Sequence, residues 1–69
     1  MALHDTVALL EDLSDALKRG QVGTVIEEWE SGVYEVEFSD GTGITYATEA
    51  LRIDQLLKLH WQPQPKQDG

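Results

Sequence analysis

The segment Val33-Tyr34-Glu35-Val36-Glu37-Phe38 alternates apolar and acidic residues, and glycine-bearing turns close it at both ends. Period-two alternation puts Tyr34, Val36 and Phe38 on one face and Glu35 and Glu37 on the other, the pattern of a half-buried β-strand. Before it, Glu30-Ser31-Gly32 reads as a tight hairpin turn in which glycine supplies a positive φ. After it, Ser39-Asp40-Gly41-Thr42-Gly43 reads as a second turn. Strands are therefore expected on both sides of this segment. A slip of one residue in their pairing would exchange the buried and solvated faces.

The rest of the chain supplies such strands. Residues 5–10 are rich in β-formers, residues 22–29 run into the first turn, and residues 44–47 leave the second, with a continuation to residue 51. Residues 52–55 suit one short helical turn, and residues 56–59 form a last strand. Gly20 and Gly23 mark backbone that must bulge or pass close to another strand. Residues 11–19 read as a long irregular loop. The spacing Val7, Leu10, Leu13, Leu17 also fits a helical stripe. Five short strands separated by turns point to an all-β fold, a small closed barrel that removes exposed strand edges. Residues 1–61 form the one domain. Residues 62–69, with no apolar side chain besides Pro63 and Pro65, read as a disordered tail.

Size and charge narrow the function. With 69 residues and no cysteine, the chain has room for one domain and none for a disulfide framework or a thiolate metal site. A chain of this length buries only about 60% of the surface it exposes when unfolded. A partner that completes the core would help it, and a weak homodimer is as open as a monomer. The formal net charge of −8 repels phosphates and anionic lipid. It favours a partner with a basic surface. No apolar run is long enough to span a bilayer, and the first residues lack the basic start of a signal peptide. A cytoplasmic protein is expected.

The run Lys18-Arg19-Gly20-Gln21-Val22-Gly23-Thr24-Val25-Ile26-Glu27 resembles the strand core of KOW-type and other SH3-like barrels. Three further segments extend the likeness: residues 5–13, Gly32-Val33-Tyr34-Glu35-Val36-Glu37-Phe38, and Asp54-Gln55-Leu56-Leu57-Lys58-Leu59. Together they resemble a family of short bacterial proteins known as domain of unknown function four-nine-two-six, over residues 3–59. The resemblance implies an SH3-like five-stranded barrel with a long first loop at residues 11–19, and so a strand rather than a helix at the start. It brings no catalytic residue. It hints at a toxin–antitoxin or immunity setting.

Catalytic chemistry finds no foothold. No serine sits in a Gly-x-Ser-x-Gly elbow, and Gly20-x-x-Gly23 lacks the Lys-Ser/Thr ending of a phosphate loop. His4, Asp5 and His60 would suffice chemically for a divalent ion, but read as ordinary groups near the chain ends. We expect no enzyme and no cofactor.

The candidate surface is the first hairpin. A turn centred on Ser31 places Trp29 across from Val33, Glu27 across from Glu35, and Val25 across from Glu37. These point outward. The other set, Glu28 with Tyr34, Ile26 with Val36 and Thr24 with Phe38, points inward together with Val22. Glu27, Trp29, Val33, Glu35 and Glu37 then form an aromatic anchor within an acidic rim, the composition of a protein-binding patch. The expected function is a non-enzymatic protein-binding barrel, an antitoxin or immunity-type partner of a basic protein. The alternatives are a KOW-like nucleic-acid-binding module, which the charge disfavours, and an accessory subunit of a larger complex.

Overall fold

The computed structural model describes residues 1–60. They form β1 (Thr6–Leu9), β2 (Val22–Glu30), β3 (Val33–Ser39), β4 (Thr45–Arg52), a 3-10 turn (Ile53–Gln55) and β5 (Leu56–Lys58). The fold is all-β. The strands make one antiparallel sheet in the order β4-β3-β2-β1-β5. The sheet is a row with two ends: among the described residues no ladder joins β4 to β5. The expected tail, residues 62–69, lies outside the described residues.

The opening segment is a strand, as the family likeness implied, and the long first loop follows it. Of the apolar residues that suggested a helix, Leu10 is exposed, Leu13 is half-buried and Leu17 is buried. The loop reaches the core through Leu17, with half-buried Leu13 packed against the same cluster, and a tight turn in which the Leu17 amide donates to the Ser14 carbonyl at 3.2 Å folds it under. Two polar ties hold its ends. Arg19 N–H donates to Asp12 Oδ1 at 2.8 Å, and the buried Gln55 donates from Nε2 to Glu11 Oε2 at 3.2 Å.

The core gathers Val7, Leu9, Leu17, Val25, Tyr34, Val36, Phe38, Leu51 and Leu56. Tyr34, Val36 and Phe38 all point inward, so β3 keeps the faces its alternation demands. Phe38 lies across from Gly23, and a Cβ on Gly23 would stand 2.7 Å from Val36 Cγ1, 2.8 Å from the Glu37 carbonyl oxygen and 2.9 Å from Phe38 Cδ1. Glycine is required there because the neighbouring strand and the Phe38 ring occupy the space of a side chain.

β2 departs from the expected register, and this corrects the assignment of its faces. Glu27 pairs with Glu35 and Glu28 with Tyr34, as expected, but Val25 pairs with Val36 and Thr24 with Glu37. The ladder shifts between Val25 and Glu27, so Ile26 is an extra residue in a β-bulge. Beyond the bulge the faces of β2 reverse. Val25 is fully buried, whereas Ile26 is 37% exposed, Val22 is exposed and Thr24 is half-buried. The inward placement of Ile26, Thr24 and Val22, and the outward one of Val25, are therefore wrong. A continuous ladder would set Thr24 across from Phe38. The bulge brings Gly23 there instead, the one residue that leaves room for the ring.

A second shift falls between Glu28 and Glu30, which makes Trp29 the extra residue and sets Val33 across from Glu30. The expected Trp29–Val33 pair is corrected accordingly.

Candidate functional site

β3 runs through the middle of the outer face, and its ladders define three rows across the sheet. They are Thr24–Glu37–Thr48, Glu27–Glu35–Ala50 and Glu30–Val33–Arg52, each read from β2 through β3 to β4. Paired residues of an antiparallel ladder project to the same side. Glu27, Val33, Glu35 and Glu37 therefore share this face. Val33, Glu35 and Glu37 are half-buried between their neighbours, and Glu27 is exposed.

Trp29 joins them from its bulge. Bulged residues are aimed differently from their strand. The indole Nε1 donates to Glu35 Oε1 at 2.6 Å, while the side chain stays 61% exposed. This bond satisfies the one polar group of the ring and leaves its apolar surface in water beside carboxylates. All five expected residues thus lie on one face, although Trp29 reaches it without pairing with Val33.

The electrostatics of the face are one-sided. Glu27 stands directly across from Glu35, an arrangement that costs some tenths of a kcal/mol. The single cation in the three rows, Arg52, is turned to Asp54, with Nε 3.0 Å from Oδ1. The other ion pair, Lys58 Nζ to Asp5 Oδ2 at 3.4 Å, belongs to β5 and the segment before β1. Asp5 also accepts the Ala2 amide, and that bond with the Lys58 ammonium holds its carboxyl below the usual range. Among the described residues no ion pair reaches Glu27, Glu35 or Glu37.

Three further acids belong to the neighbourhood: the sequence pattern pairs Glu28 with Tyr34 but gives no face to Glu30 or Glu49. Glu30 lies on the outer face beside Val33. Glu28 faces Tyr34 on the inner side, where burial first and then the Glu28 charge push the phenol pKa up. Glu49 pairs with Val36 and lies on the inner side of β4, yet it is exposed because β4 ends the sheet. Charge alone would have flagged all three. The faces of Glu30 and Glu49 depend on the register of their ladders.

Among the described residues no three His, Asp or Glu side chains are grouped to hold a metal ion, His4, Asp5 and His60 included. Asp40, in the second turn, is structural: its Oδ1 accepts from Thr42 N at 2.8 Å, Thr42 Oγ1 at 2.7 Å and Ile44 N at 3.0 Å. The Thr42 hydroxyl and these amides hold its carboxyl below the usual range. No helix among the described residues is long and apolar enough to cross a membrane.

The family model described as Domain of unknown function (DUF4926) matches residues 3–58, and the chain belongs to this family. No curated protein and no solved structure matches the chain.

Proposed function

We propose that this member of the DUF4926 family is a non-enzymatic protein-binding domain, SH3-like in build, whose outer hairpin face takes a partner with a basic surface. The observation that carries the reading is Trp29: an exposed indole anchored by its nitrogen to Glu35, which in turn stands across from Glu27. A large aromatic group combined with like charges that no cation among the described residues neutralises favours an external cation. The barrel-like build is supported by the core. Leu51 of β4 and Leu56 of β5 come from opposite ends of the sheet, yet belong to one cluster, with a single 3-10 turn between their strands.

An antitoxin or immunity-type inhibitor of a basic protein is the role that suits such a face. The test is affinity capture from the native host with the wild-type chain and with Trp29→Ala and Glu27→Lys/Glu35→Lys variants. A basic protein retained by the wild type and lost by both variants is expected. Equal retention by all three removes this face from the contact.

A further inference from the structure

β4 (Thr45–Arg52) ends the sheet and, among the described residues, is paired along one side only, with β3. The ladder tells which of its backbone groups are left open. Ile53 N–H donates to the Gly32 carbonyl at 2.8 Å, which makes Gly32–Ile53 a hydrogen-bonded pair. In an antiparallel ladder such pairs recur every second residue. The pairs Tyr34–Leu51, Val36–Glu49 and Phe38–Ala47 therefore carry the bonds to β3. Thr48 and Ala50 turn their N–H and C=O groups to the open side, as does Arg52, whose N–H is already taken by Gln55 Oε1 at 2.9 Å. All three residues are exposed, and among the described residues no turn or loop backbone bonds to them. An open edge of this kind is a template for another strand.

The side chains along the edge select the strand. On the outer face, Ala50 and Thr48 are small and lie next to Glu35 and Glu37 of β3. Strands sit about 4.8 Å apart, so the backbone of an added strand would lie roughly 10 Å from that of β3. A lysine or arginine passing over Ala50 or Thr48 spans that gap to reach a glutamate. On the inner face, Glu49 would be the direct neighbour of the new strand. A second copy of this chain fits poorly. Antiparallel self-pairing about the middle of β4 would set Glu49 beside Glu49, between two chains of net charge −8 each.

Resting on the reading of the outer face as a site for a basic partner, we propose that this partner docks by adding a basic β-strand to the open edge of β4. Its backbone meets Thr48 and Ala50, and its lysines or arginines reach Glu35, Glu37 and Glu49.

The probe is a fluorescently labelled nine-residue peptide of alternating lysine and valine, with a version N-methylated at alternate residues. The methyl groups remove the donors that would face β4 and keep every charge. Ala50→Pro removes the outward N–H from the protein side and leaves the β3 ladder intact, with circular dichroism reporting its fold. Binding of the parent peptide at low salt is expected, weakened at least tenfold by N-methylation and by Ala50→Pro. Amide exchange at Thr48 and Ala50 in the wild-type protein should slow when the peptide binds, a measurement that does not depend on the proline variant folding.

Three results would overturn strand addition: no peptide binding, equal binding of the two peptides, or unchanged exchange at Thr48 and Ala50. Equal binding that is lost in the Glu27→Lys/Glu35→Lys variant overturns the edge and keeps the acidic face. A dimer that Ala50→Pro dissociates places a second copy on the edge, and also overturns the proposal.

Discussion

Val25 pairs with Val36 across the β2–β3 ladder, while two residues further along β2 Glu27 pairs with Glu35, one residue back along β3. The extra residue between them, Ile26, is what sends Val25 into the core and leaves Ile26 at the surface. An acidic substitution separates this register from an unbulged one. Val25→Asp places an unpaired charge in the core and should unfold the domain. Ile26→Asp, at the surface of the bulge, should cost far less, on the order of 1 kcal/mol. Chemical denaturation of the two variants measures the difference, and the opposite ranking would reject the bulge.

Gly23→Ala tests the closest approach in the sheet. The new methyl would meet the Glu37 carbonyl oxygen at 2.8 Å as well as two core side chains. Side chains can shift, but the backbone oxygen is held by its strand. Overpacking of this kind costs roughly 1–3 kcal/mol. A domain of this size has little stability to lose. Urea denaturation should show a lowered midpoint, and an unchanged midpoint would mean that β2 and β3 separate there freely.

Asp40 gives the second turn a pH dependence. Its carboxyl is held below its ordinary value of 3.8 by the Thr42 hydroxyl and the amides of Ile44 and Thr42. A group whose folded pKa is depressed stabilises the fold above the unfolded value, and that contribution disappears as pH falls through the folded one. Asp40→Ala should therefore lower Tm at pH 6, with the gap to wild type narrowing as pH drops below 3.8. Asp40→Asn retains an oxygen acceptor and should lie between them. A gap independent of pH would show that the turn does not depend on the ionised carboxylate.

Trp29→Phe removes the indole N–H and its bond to Glu35 at an exposed position. The change in stability should stay within about 0.5 kcal/mol, because surface groups away from the core contribute little. Capture of the partner should fall all the same. A large loss of stability would assign Trp29 to the fold rather than to binding.

How much of this was legible in advance follows the range of each interaction. The faces of β3 follow from its own period, since Tyr34, Val36 and Phe38 are spaced for one side whatever their partners do. The turns at Gly32 and Gly43 are legible for the same local reason, and both glycines adopt positive φ. The five candidate residues are brought to one face because Glu35 and Glu37 lie opposite β3's apolar row, and Glu27 keeps Glu35 as its partner because the two-residue loop Ser31-Gly32 and the extra residue Trp29 offset each other.

What lies beyond the bulge was not legible. Val22, Thr24 and Ile26 have the composition of a buried row, and nothing in their order shows that Ile26 is an extra residue.

The amino-acid order by itself determined the hairpin strands, the positions of their turns and an acidic hairpin, because period, glycine φ and charge are properties of neighbouring residues, whereas the opening strand and its long loop came from the family likeness. Only the tertiary structure decided which residues of β2 are inside, that Trp29 bonds to Glu35, and which edge of β4 is left without a strand partner among the described residues. Those outcomes depend on fitting the Phe38 ring over Gly23 and on the order of strands in the sheet, and such contacts between distant residues exist only once the chain has folded.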